Sequence, residues 1–158
     1  MNLFIRKKAY ILMDRYNVLD DTGRVIYSVD GKLVRHFGKL EMRDRAGIQI
    51  LEIEKGPNPF FASYTIGENG ASRAQLRQNF KLLPDFSLQL DNQDFTVSGN
   101  LHACDFEILA AGSSAARIRK RNLRWGDTYI LSIQNLEYAP VLSAITVCLD
   151  NALFHNFL

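Results

Sequence analysis

The chain has only two cysteines in 158 residues, Cys104 and Cys148, too few and too far apart for a disulfide framework. No Cys-x-x-Cys occurs, so both read as buried free thiols rather than a bridge or a metal pair. Histidine is nearly as scarce. His36, His102 and His155 have no partners at metal-ligand spacing and no HExxH pattern exists, so no metal is expected. GxSxG, GxxxxGK[ST] and GxGxxG are all absent, which leaves no nucleophile elbow, P-loop or dinucleotide fingerprint and no expected cofactor. Cys104 and His102 are close in sequence, but the pair is not expected to form a catalytic dyad. No catalytic residue is therefore assigned, and the expectation is that the protein is not an enzyme.

Long apolar runs are missing too. The longest, residues 139–149, is broken only by Ser143 and Thr146 and ends at Asp150. A membrane span needs about 20 such residues. The apolar stretch after Arg6, Lys7 and Lys8 stops at Asp14, short of the roughly 7–15 residues of a signal core. A cytoplasmic protein is the expectation, with membrane association only at the periphery. The net charge of +2 is too small to imply a nucleic-acid partner, so any electrostatic function must come from local clustering. No Pro/Ser-rich linker divides the chain, and residues 1–158 read as one domain. A chain of this length buries roughly 70% of its unfolded surface and needs no disulfide to fold.

Strand signals dominate what is present. Tyr16 and Val18 lead into Asp20-Asp21-Thr22-Gly23, and Val25, Tyr27 and Val29 follow, which is a hairpin with its turn chemistry in place. Leu40 and Met42, Asp44 to Gly47, then Ile48, Ile50 and Ile53 repeat the arrangement. Phe86, Leu88 and Leu90 alternate, Asn92 supplies a turn, and Phe95 and Val97 continue. Residues 72–90 and 115–133 are altered copies of each other. Gly70 matches Gly112, Ala74 matches Ala116, Leu76 matches Ile118, and Asp85 matches Asp127. One residue later in the second copy, Phe86 matches Tyr129, Leu88 matches Leu131 and Leu90 matches Ile133. Such duplication points to repeated supersecondary units, whose shared residues build the fold. Residues 71–81 have helix-favouring composition, but their match to 113–123 predicts strand. Only the C-terminal region reads as helix. Pro140 suits a first turn, and the residues after it leave almost no polar face, so protein should surround that helix. About ten strands and one such helix predict a closed sheet wrapped round the helix, which also removes exposed strand edges. Asp150 would then sit at the barrel mouth with a partner, an Arg or backbone donors.

The order of motifs resembles the LURP-one-related family of the tubby C-terminal-like superfamily, including its small bacterial members. The matching pieces are LFIRKKAY at 3–10, YNVLDDTG at 16–23, YSVDGKL at 27–33, LEMRDRAG at 40–47, VSGNLHACDFEIL at 97–109 and ARIRKRNLRWGDTYILSI at 116–133. The resemblance implies a mainly β fold, a closed antiparallel barrel of twelve strands threaded by a central hydrophobic C-terminal helix. The superfamily includes tubby proteins, which bind phosphoinositides, and phospholipid scramblases. No lipid-ligand positions transfer residue by residue to this chain.

The candidate site is the basic strand. With Ala116 and Ile118 facing the core, Arg117, Arg119 and Arg121 face outward, and Arg124 extends the row. The first copy has Gln75, Arg77 and Asn79 at the equivalent places, so the fold itself does not require three arginines. Guanidinium forks suit phosphate and carboxylate, and the plainer reading is a solvated face with cross-strand ion pairs. Trp125 to Tyr129 and Asp85 read as turns entering strands, not as catalytic acids. The expected function is a non-enzymatic interaction module for an anionic membrane surface or phosphorylated ligand. The alternatives are a protein-interaction scaffold without lipid affinity, or a small-molecule binder or enzyme using the barrel interior.

Overall fold

Each polar turn in the sequence separates two strands, and the strands join into one sheet. The computed structural model describes residues 1–9, 13–33, 37–58, 60–79, 85–100, 103–123 and 126–155. The strands are β1 (Asn2–Ala9), β2 (Asp14–Leu19), β3 (Val25–Leu33), β4 (Gly38–Arg43), β5 (Gln49–Lys55), β6 (Ser63–Glu68), β7 (Ala71–Asn79), β8 (Asp85–Leu90), β9 (Gln93–Asn100), β10 (Asp105–Ala110), β11 (Ser113–Leu123) and β12 (Gly126–Ile133). Each pairs antiparallel with its chain neighbours, and β1 pairs with β12 to close the barrel. The twelve-strand closed barrel is the architecture the resemblance implied.

The connections differ at the two ends of the barrel. One end carries tight turns. In the β2–β3 turn the Asp20 carboxylate accepts hydrogen bonds from the Thr22 and Arg24 amides at 2.9 and 3.0 Å. Asp44 does the same for Ala46 and Ile48 between β4 and β5. Hydrogen bonding from Thr22 holds the Asp20 carboxyl below its usual range. These are turn acids, as the sequence indicates. The β6–β7 and β10–β11 turns place Gly70 and Gly112 at φ 79° and 82°. In both hairpins a bulge follows at matching positions, after Ile66 and Ile108. The duplication is thus a repeated three-strand meander, and residues 71–79 are strand despite their helical propensity.

The other end carries the β1–β2, β3–β4, β5–β6, β7–β8, β9–β10 and β11–β12 connections. There the β3–β4 hairpin is drawn tight. A Cβ on Gly31, whose φ is +147°, would lie 2.2 Å from the Lys39 carbonyl oxygen. Gly31→Ala is expected to destabilise the protein by about 3 kcal/mol, from the strained φ plus displacement of β4. A denaturant midpoint unchanged from that of the parent chain contradicts this.

A short 3₁₀ turn, Leu136–Tyr138, then leads into helix α1 (Ala139–Asp150), with Pro140 in its first turn. Every α1 residue except Pro140 is buried. Its two hydroxyls stay satisfied on the helix itself: Ser143 donates to the Ala139 carbonyl and Thr146 to that of Leu142. Val141, Ile145 and Val147 pack against the inward rows of the strands, such as Ile5, Ile53, Leu76 and Ile118, all inaccessible to solvent. Cys104 and Cys148 are buried and unbridged, and burial pushes both thiols up.

Candidate functional site

The barrel has a filled interior and a decorated exterior, and both carry polar clusters. Inside, α1 ends on Asp150 and Asn151, each almost fully buried. The Tyr16 hydroxyl donates to one oxygen of Asp150 at 2.7 Å and the Tyr129 hydroxyl to the other at 2.5 Å. Lys7 Nζ lies 3.8 Å from the same carboxylate. Asn151 Oδ1 accepts from the Tyr64 hydroxyl at 2.6 Å and from Lys55 Nζ at 2.9 Å. The partner expected for Asp150 was an arginine or backbone donors. The structure places two tyrosines and a lysine among its partners.

These contacts follow one pattern. Lys7 stands directly opposite Tyr16, Lys55 opposite Tyr64 and Lys120 opposite Tyr129. Each ammonium lies over its partner ring, 5.4, 5.7 and 5.9 Å from the centroid. Three inward Lys–Tyr pairs thus ring the end of the helix. The duplicated meander supplies a control, because Gln78 and Phe86 pair where Lys120 and Tyr129 stand in the other copy. Barrel closure alone does not demand the pair; the pairs occur where α1 needs donors. Burial, reinforced by Asp150, raises the Tyr16 and Tyr129 phenols, and burial likewise raises Tyr64. Burial lowers Lys55. With its polar atoms engaged with one another, the cluster holds the helix.

Outside, β11 behaves as its alternation indicates. Ala116 and Ile118 are buried, and Arg117, Arg119 and Arg121 are exposed. Arg124 lies outside the described residues, as do Trp125, His36 and His102. Arg117 is engaged in a fork. Its Nε and Nη2 donate to the two Asp105 oxygens at 3.1 and 2.9 Å. That pairing holds the Asp105 carboxyl below its usual range. Arg119 and Arg121 form no ion pair among the described residues. Barrel closure adds two more cations, because Arg6 and Lys8 of β1 point outward while Lys7 points in. One cross-strand row runs Arg6, Thr128, Arg121, and the next runs Phe4, Ile130, Arg119. Two strand spacings separate Arg6 from Arg121, about 10 Å. Sequence inspection could not place Arg6, because only the closure of β1 on β12 brings it there.

Other sites expected or weighed from sequence find structural uses. Asp127 sits at the start of β12 with its carboxylate 3.1 Å from Lys120 Nζ. Asp85 opens β8 and accepts from Asn79 Nδ2 at 3.1 Å. Among the described residues no cluster of His, Cys, Asp or Glu could hold a metal ion. A groove of about 460 Å³ lies between β5 and the β6–β7 hairpin, lined by Ile50, Glu52, Thr65 and Gly67 on the barrel exterior. No described helix is long and apolar enough to cross a membrane.

Comparison with known proteins agrees with this architecture. A family model described as LURP-one-related matches residues 1–150. The uncharacterized protein YxjI of Bacillus subtilis is 22% identical over 157 residues, covering 99% of this chain and 96% of that one. An X-ray structure of an Arabidopsis thaliana protein matches with a TM-score of 0.63 at 13% identity, over 94% of this chain and 90% of that one. At that identity the likeness concerns the fold.

Proposed function

The chain belongs to the LURP-one-related family, and on that premise we propose that it is a non-enzymatic barrel module. In this reading the outer face of β11, β12 and β1 binds a phosphate-bearing anionic lipid surface. The observation that carries it is the set of four outward cations, Arg6, Lys8, Arg119 and Arg121, with no ion pair among the described residues. Most other outer-face cations have acidic partners: Arg15 with Asp30, Lys39 with Glu52, Arg73 with Glu68 and Asp91, Arg117 with Asp105. The interior supports the same assignment, since α1 fills it and partners are left to the outside.

The magnitude sets what such a face achieves. Each basic residue near an anionic leaflet contributes about 1 kcal/mol, so four give about 4 kcal/mol and a millimolar-scale association. Salt weakens such binding as the Debye length shortens. Arg119→Gln combined with Arg121→Gln is expected to weaken binding to phosphatidylserine vesicles about thirtyfold at low salt. Vesicle flotation measures it. Equal binding to anionic and neutral vesicles at low salt overturns the proposal.

A further inference from the structure

We propose that the split seam between β5 and β6 docks an extended peptide bearing basic side chains, which adds to β5 as a further strand. The proposal does not depend on the lipid reading above.

The first observation is the register. β5 begins at Gln49, but its pairing with β6 begins only at Glu52, opposite Gly67. On the β4 side the same stretch is occupied, with Leu51 opposite Met42 and Gln49 opposite Arg43. On the β6 side Gln49, Ile50 and Leu51 have no register partner. Successive residues of a strand direct their backbone groups to alternate sides, so part of this stretch faces a gap. Such an edge is a template for another strand, and barrel closure removes it nearly everywhere else. The gap is the groove of about 460 Å³, bounded on its far side by Asn69 to Ser72 of the β6–β7 hairpin.

The second observation is the duplication. β10 is the counterpart of β6, at the spacing that matches Ile66 with Ile108 and Gly70 with Gly112. There the seam stays shut up to the turn, with Leu109 opposite Thr96 and Ala110 opposite Phe95. The architecture therefore does not impose the split. Gly67 stands where Leu109 stands in the other copy. A Cβ on Gly67 would meet only the Ala71 carbonyl oxygen, at an ordinary 3.6 Å. Neither strain nor crowding demands glycine there, and its missing side chain leaves the groove floor bare.

The third observation is charge. The charged residues lining the groove are Glu52 and Glu54. Glu52 has Lys39 Nζ at 3.3 Å. Glu54 is exposed and forms no ion pair among the described residues. Ile48, 62% exposed, adjoins the open end of β5. In strand addition the main chain supplies affinity and alternate side chains supply specificity. Here the alternation that fits is a cation towards the glutamates and an apolar residue between. The strand order also sets β6 across the ring from β12, so a barrel resting on lipid through β12 and its neighbours leaves the seam free.

The probe is a short capped peptide alternating valine and lysine, titrated to millimolar concentration into the isotope-labelled chain. The amides of Gln49, Ile50, Leu51 and Gly67 are expected to shift in NMR spectra and to exchange hydrogen more slowly. A peptide with proline at its centre, which lacks the N–H, should not bind. Gly67→Leu should abolish binding with no loss in denaturant midpoint, since the other copy carries leucine there. Glu54→Lys, at an exposed site, should weaken binding roughly threefold. No binding of the valine–lysine peptide overturns the proposal, as do shifts centred elsewhere or binding unchanged by Gly67→Leu. Protection of the same amides that rises with the concentration of the protein alone assigns the seam to a second copy and overturns it too.

Discussion

Above pH about 10.5 the protein should unfold steeply, losing about 4 kcal/mol of stability for each further pH unit. The cause is the ring of tyrosines at the end of α1. Burial raises the Tyr16, Tyr64 and Tyr129 phenols above their ordinary value of 10.0. In the unfolded chain they ionise normally. Past pH 10 the unfolded state therefore releases three protons that the folded state keeps, and stability falls. Stability from these groups is fully present below pH 10 and is lost as pH climbs towards their folded values. Each proton of difference is worth about 1.4 kcal/mol per pH unit. The buried Cys148 thiol, raised from 9.0, adds in the same direction. Lys55 acts in the opposite sense, because its lowered value makes the folded state release a proton first, but this ends near its ordinary 10.5. Urea titrations at a series of alkaline pH values measure the slope. Tyr64→Phe should remove about one third of the tyrosine contribution, and a slope unchanged by that substitution rules the explanation out.

Asp150→Ala is the second large expectation, costing about 3 kcal/mol in denaturant unfolding at pH 7. The Tyr16 and Tyr129 hydroxyls lose their acceptor at a buried site, and each orphaned donor costs about 1–3 kcal/mol. Lys7 loses one counter-charge but keeps Asp14 at 3.8 Å, and at 18% exposure it is partly hydrated, so its share is small. Against this, a carboxylate at a helix C-terminus opposes the macrodipole, and removing it returns up to about 1 kcal/mol. Domains of this kind have total stabilities of about 5–15 kcal/mol, so the loss is a large fraction. Asp150→Asn, which keeps an acceptor, should cost less than half as much. A loss below 1 kcal/mol for the alanine variant would show that the tyrosines find other acceptors.

The sequence made the barrel legible because its signals are local. Asp20 to Gly23 and Asp44 to Gly47 mark turns by their own chemistry, and the match of 72–90 to 115–133 overrode helical propensity in β7. The apolar character of 141–149 on every face required a surrounding wall. Arg117, Arg119 and Arg121 could be placed outward by alternation alone. Which of them stays unpaired was not legible, because the β10–β11 register sets Asp105 directly opposite Arg119, yet its carboxylate is forked by Arg117 on the diagonal. The Lys–Tyr pairs were present as three nine-residue spacings, 7 to 16, 55 to 64 and 120 to 129. That spacing becomes a contact only when both residues fall on one cross-strand pair. Whether Arg6 and Lys8 share a face with β11 could not be settled from sequence for a related reason, since barrel closure joins opposite ends of the strand order.

The order of elements also bears on how the protein is made. During synthesis all twelve strands emerge before α1, the piece that fills their centre. β1 meanwhile waits for β12, its partner across nearly the whole chain. The nascent sheet therefore presents its apolar lining to solvent until the helix clears the ribosome. A sheet dominated by such distant pairings also folds slowly. Cellular yield should consequently depend on chaperone capacity far more than the stability of the finished barrel would indicate.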